Sequence, residues 1–252
     1  MQIRNFCVLT FFCALIHCQV FAVESFAKPS VETLTMNLES KTVAVDVYKP
    51  IGPHTGAAIL THGGFRSRKT MADHALALAA RGVLTIAPNM PCMFDHRCNA
   101  RAIAELVNLL RSTNTFGKSA NRVMLVGFSA GGLSSLLAAD TPGVVGFVGL
   151  DAYDHLLSNQ SERLGVVAAR RLDIETLLLR APASSCNGQS VAASWRLELK
   201  ALWRDELITG ASHCDFEAPT DWMCRLVCGD KDASRQSMVR QGLLDAAARW
   251  LP

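Results

Sequence analysis

Ser129 stands in the run Gly127-Phe-Ser-Ala-Gly-Gly132, after the apolar stretch Val123-Met-Leu-Val126 and before Leu133-Ser-Ser-Leu-Leu-Ala-Ala139. That order reads as strand, Gly-x-Ser-x-Gly turn and helix. A serine at the tip of such a turn sits on a strained backbone, its hydroxyl raised above the sheet edge and a helix N-terminus beneath it. The flanking glycines leave room where side chains would meet the neighbouring strand and helix. The bare pattern recurs by chance, and a glycine-rich loop with a capping serine would look the same. The strand before it and the helix after it make Ser129 a candidate nucleophile.

A serine hydroxyl is a weak nucleophile near neutral pH. It needs a base within hydrogen-bond reach, and the base needs an orienting acid. When a strand–turn–helix carries the serine, the acid and then the histidine follow along the chain, each on a loop after a strand. His213, in Thr209-Gly-Ala-Ser-His213, comes directly after the last expected strand and is the candidate base. His54, His62, His74, His96 and His155 all come too early for that role. The loop 179–187 offers no carboxylate. The strand before it ends in Gly149-Leu-Asp-Ala-Tyr-Asp154, which makes Asp151 the candidate acid and Asp154 its competitor. Asp215 is too local to His213 to orient it and suits a turn or cap. For the oxyanion, the backbone N–H of Ala130 is one expected donor. The loop Leu60-Thr-His-Gly-Gly-Phe65 supplies the second, with Gly64 first and Phe65 next. His62 reads as structural.

These residues need a frame to hold them. Thr33–Glu39 and Thr42–Tyr48 read as two short strands forming an antiparallel edge. Further strands are expected at Ala57–Thr61, Val83–Ala87, Arg122–Val126, Val144–Leu150, Thr176–Leu179 and Asp205–Thr209. Helices are expected at Thr70–Arg81, Asn99–Ser112, Ala130–Ala139, Gln160–Arg171 and Ser234–Leu251. Pro88–Cys98 reads as a loop, and Ala181–Arg204 as the least regular stretch, bordering the site. Strand and helix alternate, which implies an α/β fold with a mostly parallel central sheet and helices on both faces. No segment is long enough for a large lid.

The chain has 252 residues, half of them hydrophobic, with a net charge of +3. One domain is the default at this length. No basic stripe argues for nucleic acid, and no phosphate loop or metal cluster argues for a cofactor. Residues 1–22 have a single charge, Arg4, and an apolar run from Phe6 to Ala22, as expected of a secretory signal peptide. Cleavage is expected after Ala22, or alternatively after Ala27. That leaves 23–252 as one domain, exported to a periplasm or secreted, with no other segment apolar enough to span a bilayer. Six cysteines remain after such a cut: Cys92, Cys98, Cys186, Cys214, Cys224 and Cys228. An even set in an exported chain implies disulfides. Cys92 with Cys98 is the expected short loop, and the other four are expected to pair among themselves and tie the loops near the site. A zinc site on these cysteines and His213 is the rival reading, without a paired Cys-x-x-Cys motif to support it.

With these pieces placed, the chain resembles the α/β-hydrolase family. Within it the likeness is to the platelet-activating-factor acetylhydrolases, chlorophyllases and related bacterial esterases. Thr61-His-Gly-Gly-Phe65 is similar to their oxyanion loop, Gly127–Gly132 to their elbow, Gly149-Leu-Asp-Ala-Tyr153 to their acid loop and Ser212-His-Cys-Asp-Phe216 to their base loop. The resemblance covers about residues 40–250 as an ordering of motifs and implies the α/β-hydrolase fold. It also implies a cofactor-free serine hydrolase acting on carboxylic esters, small or lipid-like, and it favours Asp151 as the acid. An amidase, thioesterase or acyltransferase on the same site, or a non-catalytic binding protein on this fold, are the alternatives.

Overall fold

The computed structural model describes residues 28–156 and 161–252. The expected signal peptide and the first residue of the expected helix Gln160–Arg171 lie outside them. Eight strands form one sheet: β1 (Ser30–Leu38), β2 (Lys41–Lys49), β3 (Gly56–Thr61), β4 (Val83–Pro88), β5 (Val123–Phe128), β6 (Val144–Leu150), β7 (Glu175–Arg180) and β8 (Leu202–Leu207). Their order is β1-β2-β4-β3-β5-β6-β7-β8. β1, β2 and β4 pair antiparallel, and every other pairing is parallel. The mostly parallel sheet and its antiparallel edge match the reading of the sequence.

The helices are α1 (Ala72–Ala79), α2 (His96–Ser112), α3 (Ala130–Leu137), α4 (Leu164–Arg171), α5 (Trp222–Cys228) and α6 (Ala233–Trp250). They cover both faces of the sheet, because successive strand residues point to opposite sides. Ala57, Ile59, Val123 and Leu125 pack with Ile103 and Leu106 of α2, Leu133 of α3 and Ala169 of α4. Ala58, Leu60, Met124 and Val126 pack with Ala75 and Leu78 of α1 and with Val239, Leu243 and Trp250 of α6. β3, β4 and β5 are buried along their whole length. This explains why they are nearly all apolar, with Thr61 and Thr85 the exceptions, as expected of strands sandwiched between helices.

Three expectations need correction. The last strand is Leu202–Leu207, not Asp205–Thr209. It lies at the sheet edge, where Arg180–Asp205 and Arg204–Asp245 ion pairs replace the apolar run that marks an inner strand. α2 begins at His96, inside the expected loop Pro88–Cys98, because the Asp95 side chain caps it by accepting the Cys98 N–H at 3.0 Å. The stretch read as least regular, Ala181–Arg204, keeps that character, with 3-10 turns at Ser185–Asn187 and Val191–Leu197 before the start of β8. α5 was not expected at all.

Disulfides join Cys92–Cys98, Cys186–Cys228 and Cys214–Cys224. The first is the expected short loop, and the other four cysteines do pair among themselves. The sulfurs of Cys214, Cys224 and Cys228 lie within 4.8 Å of one another. Each is already bonded to another sulfur, so this cluster is two packed disulfides.

Candidate active site

β5 runs into Ser129 and α3 starts one residue later. Ser129 has φ +51° and ψ −122°, a strained backbone for a residue with a side chain. The strain is held from three sides. Ser129 N–H donates to Leu150 O at 3.0 Å, while Ser129 O accepts from Gly132 N–H at 2.9 Å and from Tyr153 N–H at 3.0 Å. Glycine is needed at Gly127, where a Cβ would lie 2.4 Å from the Gly131 carbonyl oxygen. Ser129 is half-buried and borders a cavity of about 390 Å³.

β6 ends at Leu150, and the next residue, Asp151, has φ +37° with its N–H bonded to Leu179 O at 2.7 Å. Its carboxylate is buried and fully engaged. Oδ1 accepts from Ala181 N–H at 2.9 Å and from Asn187 Nδ2 at 3.2 Å. Oδ2 accepts from Asn187 Nδ2 at 3.3 Å and from His213 Nδ1 at 2.6 Å. A carboxylate only accepts, so Nδ1 carries the imidazole proton and Nε2 has its lone pair free. His213 opens the 3-10 turn His213–Phe216, is 6% exposed, and lies against Phe128 with ring centroids 4.6 Å apart. His213 borders the same cavity as Ser129. The structure therefore brings Asp151 and His213 into direct contact and puts Ser129 on the cavity that His213 borders. No hydrogen bond joins Ser129 to His213 among the described residues. Such bonds are often long in a free enzyme and tighten on substrate binding.

The expected competitor Asp154 has other work, and Asp215 has the cap role expected of it. Asp154 is fully buried and accepts from His155 N–H at 2.7 Å, Gly165 N–H at 2.8 Å and Trp195 Nε1 at 2.7 Å, so it fastens α4 and the 191–197 turn. Asp215 caps its own turn through Ser212 N–H and ties in Asp232 N–H and Arg235, away from the imidazole.

The N–H groups of Gly64, Phe65 and Ala130 have no partner among the described residues. A Cβ on Gly64 would stand 3.8 Å from the Ala130 Cβ, so these two backbones are neighbours, and both line the cavity. Phe65 has φ +55°, projects outward and meets Phe94 edge-on at 4.9 Å. It borders a second cavity of about 240 Å³ with Gly64 and Ala130. His62 locks this loop. Its Nε2 accepts from Met90 N–H at 3.0 Å, which leaves the Nδ1 proton for Gly63 O at 2.8 Å. Burial lowers its pKa, consistent with a neutral structural ring.

Several residues at the site carried no clear sequence signal. Asn187, beside Asp151, lies in the stretch read as least regular. Arg66 lines the cavity, and its Nε donates to Glu217 at 2.7 Å. Burial pushes the Glu217 carboxyl up to about 7. His96 and His155 also border the cavity, with ring centroids 5.9 Å apart, and burial, followed by its neighbour His155, lowers the pKa of His96.

No family model matches the chain, and no curated protein matches it. Solved structures do. Dienelactone hydrolase from Anabaena variabilis superposes with TM-score 0.70 at 17% identity, over 90% of this chain and all of that one. The esterase domain of a Rhodothermus marinus protein does so with TM-score 0.65 at 15% identity, over 88% of this chain and all of that domain. A Xanthomonas campestris protein described as an α/β serine hydrolase without lid does so with TM-score 0.61 at 19% identity, over 88% of this chain and 95% of that one. At these identities the likeness is one of fold: the chain has the α/β-hydrolase fold, with no large lid among the described residues.

Proposed function

We propose that this protein is an exported serine hydrolase of carboxylic esters, with the active domain spanning 23–252. The 2.6 Å bond from His213 Nδ1 to Asp151, on the cavity that holds Ser129, carries the reading. In it, Ser129 Oγ attacks the ester carbonyl while Nε2 of His213 takes the hydroxyl proton. Asp151 holds the ring in that tautomer and stabilises the imidazolium. The N–H of Ala130, with that of Gly64 or Phe65, binds the oxyanion. The imidazolium then gives its proton to the leaving alcohol, and water, activated by the same base, cleaves the acyl-enzyme. Protonation of the imidazole removes the base, so turnover falls on acidification.

The three disulfides support an oxidising, exported location. No described helix is long and apolar enough to cross a membrane. The substrate is read as a small or lipid-like ester, in keeping with the motif likeness to the platelet-activating-factor acetylhydrolase and chlorophyllase group. The solved neighbours described as esterases favour an ester over an amide or thioester. Intact mass after fluorophosphonate treatment tests the activated serine. One adduct on the wild type and none on Ser129→Ala is expected, followed by hydrolysis of esters in a panel of esters, amides and thioesters. No adduct on the wild type would sink the reading, and a clear preference for amides or thioesters would move it to the corresponding alternative.

A further inference from the structure

The carboxylate at the site is held partly by a side chain that belongs to a disulfide framework. Asn187 is fully buried, and both ends of its amide are used. Nδ2 spans the two carboxylate oxygens of Asp151 and also donates to Pro182 O at 2.9 Å. Oδ1 accepts the N–H groups of Ser184 at 2.9 Å and Ser190 at 2.8 Å. Turning the amide over would set oxygen against two carboxylate oxygens and a carbonyl, and NH₂ against two donors. The amide therefore has one workable orientation. With Ala181 N–H it prevents the Asp151 carboxylate from rotating away from His213.

The backbone around Asn187 would not hold this position alone. Its 3-10 turn is three residues long, and Gly188, Gln189 and Ser190 follow with φ of +60°, +61° and +59°. Two of these carry side chains, so the conformation is costly unless its surroundings enforce it. The adjacent residue supplies a restraint: Cys186 is bonded to Cys228 at the end of α5. α5 has seven residues, too few for a helix to persist unaided. Only Cys224 on it is buried, while Trp222, Leu226 and Val227 are exposed. Cys224 is bonded to Cys214, the residue next to His213. A closed path results. It runs from His213 through Cys214, Cys224, α5, Cys228 and Cys186 to Asn187, and returns by hydrogen bonds through Asp151 to the imidazole.

We propose that Asn187 is a positioning residue for the Asp151–His213 pair, and that α5 with its two disulfides braces it in place. The activity readout of this proposal rests on the ester-hydrolase reading; its spectroscopic readout does not. The test compares wild type, Asn187→Ala, Cys186→Ser/Cys228→Ser and the combined variant, all retaining Cys214–Cys224. The Nδ1 proton of His213, in its short bond to a carboxylate, is expected as a far-downfield proton resonance in the wild type. In Asn187→Ala and in the disulfide variant that resonance shifts or broadens, and kcat for a soluble ester falls by up to about 10²-fold with KM within about twofold. The combined variant loses little beyond Asn187→Ala, because both changes break one device. If Asn187→Ala does not fold, the disulfide variant decides alone. Wild-type kcat and an unmoved resonance in the folded variants would overturn the proposal, as would absence of the resonance from the wild type. A wild type that hydrolyses no ester, but whose resonance moves in both variants, keeps the brace and loses the ester reading.

Discussion

The carbonyl oxygen of His62 passes so close to Gly131 that a Cβ there would lie 2.4 Å from it. The first turn of α3 is thus pressed onto the loop that follows β3, and Thr61 Oγ1 reinforces the contact, 3.0 Å from Gly131 O and 2.7 Å from Ser135 Oγ. The two backbones brought together here carry Ala130 and Gly64, the expected oxyanion donors. Gly131→Ala must push them apart. It is expected to cost about 1–3 kcal/mol of stability, as overpacking does, and to lower turnover per folded molecule. Denaturant unfolding with a parallel ester assay checks both, and an unchanged rate would separate this contact from the oxyanion site.

Ser129→Ala removes the proposed nucleophile from a position whose strain is held by backbone bonds. Hydrolysis is expected to fall by about 10⁴-fold or more, with thermal unfolding close to wild type. Residual activity comparable to wild type would mean that another residue attacks.

Asp151→Asn and Asp154→Asn each replace one carboxylate on the same loop after β6, with opposite expected readouts. In the first, Ala181 N–H holds the amide oxygen, so the new NH₂ faces His213 Nδ1 and favours the other tautomer of the ring, which should reduce kcat by about 10⁴-fold. The second sets an amide NH₂ among the donors of His155, Gly165 and Trp195, and should destabilise by about 2 kcal/mol or more while leaving the folded enzyme active. Loss of activity in folded Asp154→Asn with retention in Asp151→Asn would reverse the assignment.

Stability should depend on pH through two buried groups of opposite sign. Burial raises Glu217 from 4.5 to about 7, so between these values the folded protein keeps a proton that the unfolded chain has released. Its contribution is fully present below about 4.5 and is lost as pH rises through about 7. Burial lowers His74 from 6.5 to about 4, so its contribution is present above about 6.5 and is lost as pH falls through about 4. Glu217→Gln, which still accepts from Arg66, keeps only the second dependence. Its stability should rise with pH up to about 6.5 and then level, whereas the wild type should lose stability between about 6.5 and 7. Parallel curves for the two proteins would refute this role for Glu217.

The parts of this molecule that were legible in the sequence share one property: their signal is local and tied to burial. β3, β5 and β6 announce themselves as apolar runs because helices cover both of their faces, and the elbow at Ser129 is marked by glycines that sterics demand. β8 was misplaced because an edge strand needs no apolar run. Asn187 was missed because its partner Asp151 lies 36 positions away, and nothing nearby distinguishes it from any loop asparagine. α5 was missed because cross-links to other loops hold it rather than an apolar face or its own propensity. Arg66 and Glu217 form a pair across 151 positions, a relation that no local pattern carries.

β8 closes the sheet with its outer backbone edge unpaired by any strand among the described residues. Its residues are half-buried at most, Arg204 is clamped between Glu206 and Asp245, and the guanidinium groups of Arg204 and Arg249 both lie against the Trp203 ring. A second copy docking there to extend the sheet would have to strip water from these charges before gaining a single ladder bond. The open flank of the sheet is therefore guarded against filament growth by the same residues that hid the strand from a reading by hydrophobicity.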